Sequence, residues 1–350
     1  MNTVAATQPL VTGGVDTHLD VHVAAALDHI GGLLGTAQFP AAAGGYRELL
    51  AWLRGFGEVG RVGVEGTGSY GAALARHLTG QGVTVIEVSR PNRQVRRRHG
   101  KTDVVDAIAA ARAVMSGEAT ATPKTHDGSV EGLRMLKVLQ RSANKSRTQA
   151  LNQLRGLLVT APAELRAKLQ HLARRDLLAT CAAFRVAPDD DSLPGLARFA
   201  LRDLAQRIQS LDERLKQVDT RLRRITTAAA PDLVELHGVG PDTASTLLIT
   251  AGDNPERLAS ERSFAALTGC SPIPASSGKT HRHRLNRGGD RQANAPLWRI
   301  AIVHMASDER SQKYVAKRIS EGKSKIEAIR CLKRYIAREV FDALPQTAAA

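Results

Sequence analysis

The sequence predicts an α/β domain followed by an almost wholly helical remainder, and three observations carry that prediction. Between Val11 and Phe39 three short β-like segments follow one another with no helical pattern between them. From Tyr46 to Met115 helical and strand periodicities alternate. Beyond residue 129 apolar residues recur at helical spacing nearly everywhere, and one stretch keeps a heptad seam.

The first three strands are "TGGVD", "DVHVAAALD" and, after the Gly31-Gly32 pair, "LLGTAQF", which together make a meander. Then come helix "YRELLAWLRGF", strand "RVGVEG", helix "SYGAALARHLTGQ", strand "VTVIEV" and helix "DVVDAIAAARAVM". A doubly wound nucleotide-binding fold starts βαβ, so a meander feeding two further strands fits a ribonuclease H-like sheet better, with another mixed-sheet α/β domain as the alternative. Residues 119–129, "ATATPKTHDGS", gather small, Pro and Gly residues and read as a linker. The expected domains are 1–125, 126–229 and 230–350.

In the helical remainder Leu201, Leu204, Ile208, Leu211, Leu215, Val218, Leu222 and Ile225 alternate spacings of three and four. That seam suits a coiled coil or long hairpin arm, and equally a core-facing helix of a bundle. Further on, "LHGVGPDTASTLL" has the form of a helix-hairpin-helix element. Gly238 and Gly240 would let the turn approach a phosphate, which N–H groups near Asp242–Ala244 would bind.

With 49 Lys and Arg against 34 Asp and Glu, the 350-residue chain carries a net charge of +15. Such a balance points to an acidic partner, most often nucleic acid. Aromatic residues make up 3%, which argues against base stacking as the main contact and for phosphate contacts instead. The segment "SRPNRQVRRRHGK" (89–101) holds Arg93, Arg96, Arg97, Arg98 and Lys101, and "GKTHRHRLNRGGDR" holds Lys279, Arg282, Arg284 and Arg287. These are the expected backbone-binding side chains. Cys181, Cys270 and Cys331 form no CxxC pair, so neither a disulfide framework nor a zinc ribbon is expected, and a reducing cytosol fits. No apolar run reaches the roughly 18 residues of a membrane span and no signal peptide is read at the start, which predicts a soluble, unexported protein with no membrane partner.

Phosphoryl transfer on DNA by such a sheet needs convergent carboxylates to hold divalent ions. Asp16 ends the first strand and Glu65 the fourth, while Asp103 and Asp106 lie three apart at a helix start and share one face. Taken alone the Asp103/Asp106 pair reads as helix capping; taken with Asp16, Glu65 and the nearby arginines it reads as catalytic. His18, Asp20 and His22 read as a polar, solvent-facing edge that tolerates substitution, with a histidine-rich zinc site the less favoured reading. Ser276 and Ser277, before Gly278 in a basic stretch, read either as a turn or as a nucleophile toward phosphorus.

Over nearly its whole length the chain resembles the DEDD transposases of bacterial insertion sequences, the bridge-RNA-guided recombinases. The resemblance rests on "GGVDTH" (Asp16), "GVEGTGSY" (Glu65) and "GKTDVVDAIAAARA" (Asp103, Asp106), followed by "LHGVGPDTASTLL", "GCSPIPASSGK" and "HRHRLNRGGDRQAN". It implies a RuvC-like domain whose four carboxylates bind Mg²⁺, or Mn²⁺ in its place, and Ser277 as the nucleophile of a transient phosphoserine link, with Ser276 beside it as the alternative. It also implies a coiled-coil arm joining a dimer or tetramer, and a site that combines one subunit's carboxylates with another's serine. An element-encoded bridge RNA would pair with donor and target double-stranded DNA, at the nucleoid in a bacterial cytoplasm. Two other readings stand beside strand exchange: a structure-specific, Holliday-junction-like endonuclease using only the carboxylates, and a non-catalytic nucleic-acid-binding protein.

Overall fold

The computed structural model describes residues 9–88, 102–254, 257–278 and 283–345. The basic segment with Arg93, Arg96, Arg97, Arg98 and Lys101 lies outside the described residues, as do Lys279 and Arg282. Two compact units emerge: one takes the described residues up to Gly128 plus 251–259, the other Ser129–Thr250 and Ser260–Pro345.

The first unit is built on a five-stranded sheet of order β3-β2-β1-β4-β5, from β1 (Leu10–Thr17), β2 (Val21–Leu27), β3 (Leu33–Pro40), β4 (Glu58–Glu65) and β5 (Thr84–Val88). β2 runs antiparallel to β1 and β3; β4 is parallel to β1 and to β5. Helices α1 (Ala43–Arg54) and α2 (Ala72–Gly80) make the two crossovers. This is the meander followed by alternating helix and strand that the sequence predicts. Successive side chains point to opposite faces, so Val11, Val15, Ala24, Val62 and Val64 pack on Leu49 and Leu53 of α1 and Leu74 and Leu78 of α2. The other face carries Val23, Ala25 and Val88 against Ala107, Ala110 and Val114 of α3 (Asp103–Met115).

Close approach of α3 to the sheet depends on two glycines and on the alanines of "AIAAARA". A methyl group at Gly14 would run into the Ala107 carbonyl and the Ala111 nitrogen, and one at Gly63 would come within 2.8 Å of the Ala110 carbonyl. Backbone atoms cannot rotate away as a side chain can, so neither position admits a Cβ without moving the helix.

His22 departs from expectation. The tight turn after β1 pairs Thr17 with His22, which places Asp16 and His22 on opposite faces of the sheet. His22 points into the α1 side, is fully buried and stacks on Tyr46 at 5.7 Å between ring centroids. Neither ring nitrogen has a hydrogen-bond partner among the described residues. It is a core residue, not a solvent-facing one, because β2 is an inner strand covered on both faces.

The segment 119–129 also differs from a free linker. Glu87 N of the edge strand β5 donates to Ala121 O at 2.7 Å. Residues 251–259 return to clamp it: buried Asn254 donates to Pro123 O at 3.0 Å, Arg257 donates to Thr122 O at 3.0 Å, and the Arg257 guanidinium pairs with Glu87 at 3.7 Å. An unpaired strand edge exposes donors and acceptors, and these residues cover it.

In the second unit α4 (Ser129–Thr160) and α7 (Leu193–Ala229) form a hairpin, with α5 (Ala163–Leu169) and α6 (Arg174–Ala182) packed at its tip through Leu154, Leu165, Leu178 and Ile208. The pair is antiparallel: Arg147 bonds Asp212 at 2.9 Å, and seven residues back Gln140 bonds Asp219, seven residues forward, at 2.7 Å. Leu201, Ile208, Leu215 and Leu222 of the seam are buried, whereas Leu204, Leu211, Val218 and Ile225 are half-buried. After the short α8 (Pro231–Glu235), helices α9 (Pro241–Ala251), α10 (Glu261–Leu267), α11 (Arg291–Ser307), α12 (Glu309–Ser320) and α13 (Lys325–Asp342) complete the chain, with a two-residue ladder of β6 (Ile273–Pro274) and β7 (His283–Arg284). No helix among the described residues is long and apolar enough to cross a membrane.

Two stability outcomes follow. Gly14→Ala costs about 1–3 kcal/mol or more, as overpacked cores do, measurable as a lower urea midpoint. Burial holds the His22 pKa below the ordinary histidine value. The unfolded chain therefore binds the proton better, and stability is lost as pH falls below about 6.5. His22→Phe flattens that part of the pH–stability curve between pH 7.5 and 5 while retaining the Tyr46 stack.

Candidate functional site

Asp16, Asp103 and Asp106 come together where β1 ends, and Glu65 closes the neighbouring strand β4. Val15 pairs with Val64 in parallel register, so Asp16 and Glu65 leave the sheet side by side at the carboxyl ends of neighbouring strands, the edge at which open α/β sheets bind ligands. The Thr17 hydroxyl donates to the Glu65 carbonyl at 2.8 Å and fastens the two strand ends together. The first turn of α3 brings Asp103 and Asp106 to the same edge. Thr102 supplies the side-chain cap there, its hydroxyl accepting from Val105 N.

Asp16 is 7% and Asp106 4% exposed, whereas the Asp103 side chain is half-exposed. His18 Nε2 lies 3.1 Å from Asp16 Oδ2 and 3.4 Å from Asp103 Oδ1. One potential ligand atom from each of Asp16, His18 and Asp103 falls within 4.8 Å of the others. Burial pushes the Asp16 pKa up, His18 pulls it back, and the charges of Asp106 and Asp103 add to the rise. Two buried acids and a third beside them repel one another unless a cation intervenes. Oxygen donors with one imidazole suit a divalent cation, so the donor set fits the metal that the family resemblance implies.

His18 is thus part of the cluster rather than of an inert polar edge. Asp16 and His18 share a side because they are two apart, and the turn closed by His18 N donating to Val21 O fixes the imidazole over the strand end. Asp20 is exposed. Period-2 alternation held the signal for Asp16 and His18; the reversal of face at the turn hid the different fate of His22.

In the second unit Ser276, Ser277 and Gly278 sit near the tip of the β6–β7 hairpin. Both serines are exposed, and Gly278 takes φ +55, a left-handed conformation that suits glycine. Arg284 and Arg287, on the returning limb, are exposed as a backbone-binding role requires. The hairpin stands on a closed base. Asp290 N donates to Leu267 O at 2.7 Å, and a side chain at Gly289 would collide with the Gly269 backbone. Buried Lys333 donates to Asn294 Oδ1 at 2.8 Å, and Asn294 donates to Thr268 O at 2.6 Å. Sequence patterns gave no sign of this anchor, because its members are dozens of residues apart.

The glycine turn before α9 divides its labour. Gly238 has φ +76 and lies against Val303, whereas a Cβ at Gly240 would meet nothing within 4 Å. The first helical turn is not bare: Asp242 accepts from Lys137 Nζ at 2.6 Å and lies 3.6 Å from Arg299. Burial alone would raise its pKa, but Lys137, Gln140 and Arg299 hold it below the usual carboxylate value. Lys137 and Arg299 thus both face the carboxylate at the start of α9.

Because burial raises the Asp16 pKa in the fold, the ionised carboxylate opposes folding at neutral pH, and this cost disappears as pH falls below the folded pKa. Asp16→Asn should therefore melt higher than the natural protein in chelator at pH 7.5. Added Mn²⁺ should raise the melting temperature of the natural protein and raise that of the variant by less, as ligand linkage requires.

Comparison with known proteins identifies the family. Residues 13–161, which contain all four carboxylates, match the IS110-type DEDD model described as "Transposase", and residues 214–316, which contain the glycine turn and both serines, match "Transposase IS116/IS110/IS902 family". A protein of Streptomyces coelicolor, "Insertion element IS110 uncharacterized 43.6 kDa protein", is 31% identical over 113 residues, covering 32% of this chain and 28% of that relative. The similarity thus spans less than a third of the relative's length. The chain belongs to the IS110 family of DEDD transposases.

Proposed function

We propose that this protein is a transposase that cleaves and rejoins DNA through a transient phosphoserine link, using a ribonuclease H-like (RuvC-like) domain and the Ser277 hairpin. The observation that carries the reading is the convergence of strand-end and helix-start acids at one sheet edge. The meander feeding two parallel strands supports the fold, and exposed Ser277 on an anchored, basic hairpin supports the nucleophile. The working division is 1–125 for the carboxylate domain, 126–229 for the arm and 230–350 for the serine domain. Half-buried Leu204, Leu211, Val218 and Ile225 support an oligomer contact along the arm.

In the proposed chemistry the Ser277 oxygen attacks a phosphodiester phosphorus, its proton leaves with solvent, and the departing sugar oxygen becomes a free hydroxyl. A hydroxyl of the exchange partner then attacks the phosphoserine and restores the serine. Asp16, Glu65, Asp103 and Asp106 would hold Mg²⁺ or Mn²⁺, and such ions neutralise phosphoryl charge as it builds. Gly238, Gly240, Arg284 and Arg287 contact the DNA backbone, together with Arg93, Arg96, Arg97, Arg98, Lys101, Lys279 and Arg282. Low aromatic content favours shape and charge recognition of duplexes, which agrees with a guide RNA choosing donor and target sequences.

The test is incubation of the purified protein, with its copurifying RNA sequenced, and DNA bearing the element's ends. A detergent-stable protein–DNA adduct should form, vanish in Ser277→Ala, and form about 10²-fold more slowly or worse in Asp103→Asn, the scale seen when one charge-stabilising group is lost. Cleavage without any adduct, indifferent to changes at Ser276 and Ser277, would instead identify a carboxylate-only endonuclease. Binding without cleavage, indifferent to the acids, would identify a non-catalytic binder.

A further inference from the structure

We propose that His18 is a nitrogen ligand of the carboxylate site, making it a mixed nitrogen–oxygen centre that prefers Mn²⁺ to Mg²⁺. The inference rests on the carboxylate-site reading above and extends it to a residue outside the four acids.

One nitrogen, His18 Nε2, faces two carboxylates at once, Asp16 Oδ2 at 3.1 Å and Asp103 Oδ1 at 3.4 Å. A ring nitrogen carries at most one hydrogen, directed along one line, so it cannot donate well to both. A cation held by all three donors resolves the arrangement. Bonds of about 2.1 Å set at roughly right angles keep ligand atoms about 3.0 Å apart, and tetrahedral angles about 3.4 Å. His18 stands within that range of both carboxylates. The turn hydrogen bond from His18 N to Val21 O holds the residue in place without help from the imidazole.

The preference follows from ligand chemistry. Mg²⁺ demands near-octahedral oxygen coordination and keeps its waters, whereas first-row transition ions accept imidazole readily. Replacing one oxygen donor by nitrogen therefore costs Mg²⁺ more than Mn²⁺. Asp103 is half-exposed, so a phosphate group could approach the cluster from the solvent side.

Mn²⁺ binding to the full-length protein provides the test. Pulsed electron paramagnetic resonance of the Mn²⁺-loaded protein should show the coupling of a directly bonded nitrogen, and His18→Gln should remove it. Calorimetry should find Mn²⁺ affinity at least about tenfold weaker in His18→Gln, the scale on which even outer partners of a metal move affinity, with a much smaller change for Mg²⁺. A natural protein whose bound Mn²⁺ lacks a nitrogen neighbour, or that binds no Mn²⁺, overturns the proposal, as does equal weakening of both ions. Asp16→Asn combined with Asp103→Asn separates the two levels. If that variant binds Mn²⁺ as the natural protein does, the carboxylate site itself is wrong; if it loses Mn²⁺ while His18→Gln retains both affinity and the nitrogen signal, only the role of His18 is wrong.

Discussion

The contact of α3 on the sheet is the constraint from which the carboxylate site is built. Gly14 and Gly63 present no side chains to the helix, and the helix returns only Ala107, Ala110, Ala111 and Val114. With larger residues the axis would stand off, and Asp103 and Asp106 would be carried away from Asp16. The arrangement gives up some apolar burial per residue for proximity of like charges. That repulsion is tolerable because the opposite face of the sheet packs conventionally, with leucines and valines against α1 and α2.

The second unit solves a similar positioning problem by the same means. The hairpin that displays Ser277 and Arg284 to solvent rises from a base held by direct backbone and side-chain contacts. There Gly269 and Gly289 touch backbone to backbone, while the Lys333–Asn294–Thr268 relay ties the ascending limb to α11 and α13. A buried ammonium is costly unless hydrogen-bonded, and Asn294 meets that need while fixing the loop. In both units close backbone contacts hold the supports, and the polar groups are displayed at their ends.

Local periodicity revealed the strands and the helices, and it marked Asp16 and Glu65 as candidates, because a carboxylate at the end of an apolar run stands out against its neighbours. It could not reveal which strand becomes central. "DVHVAAALD" reads as a half-polar edge until β1 and β3 are seen on either side of it, and only then is His22 understood as core. The heptad seam was plain, yet its partner, α4, is identified only by charges and amides some seventy residues away. Nothing in the spacing around Asp242 points to Lys137, on another helix, which pairs with it. The residues that escaped sequence reading owe their roles to non-local pairing, on which spacing carries no information.

The clamp over β5 bears on how the chain is made. Ala121 can cover the strand edge soon after it is synthesised, but Asn254 and Arg257, which lock it down, lie more than 130 residues later. At the usual pace of translation that is an interval of roughly 7–27 s. During it the sheet carrying the acids exists with a weakly guarded edge, while the whole helical arm emerges. The first unit is therefore N-terminal in its chemistry but finishes folding only after most of the second has been made, so the nascent chain passes through a stage in which an open β edge awaits its own distant sequence.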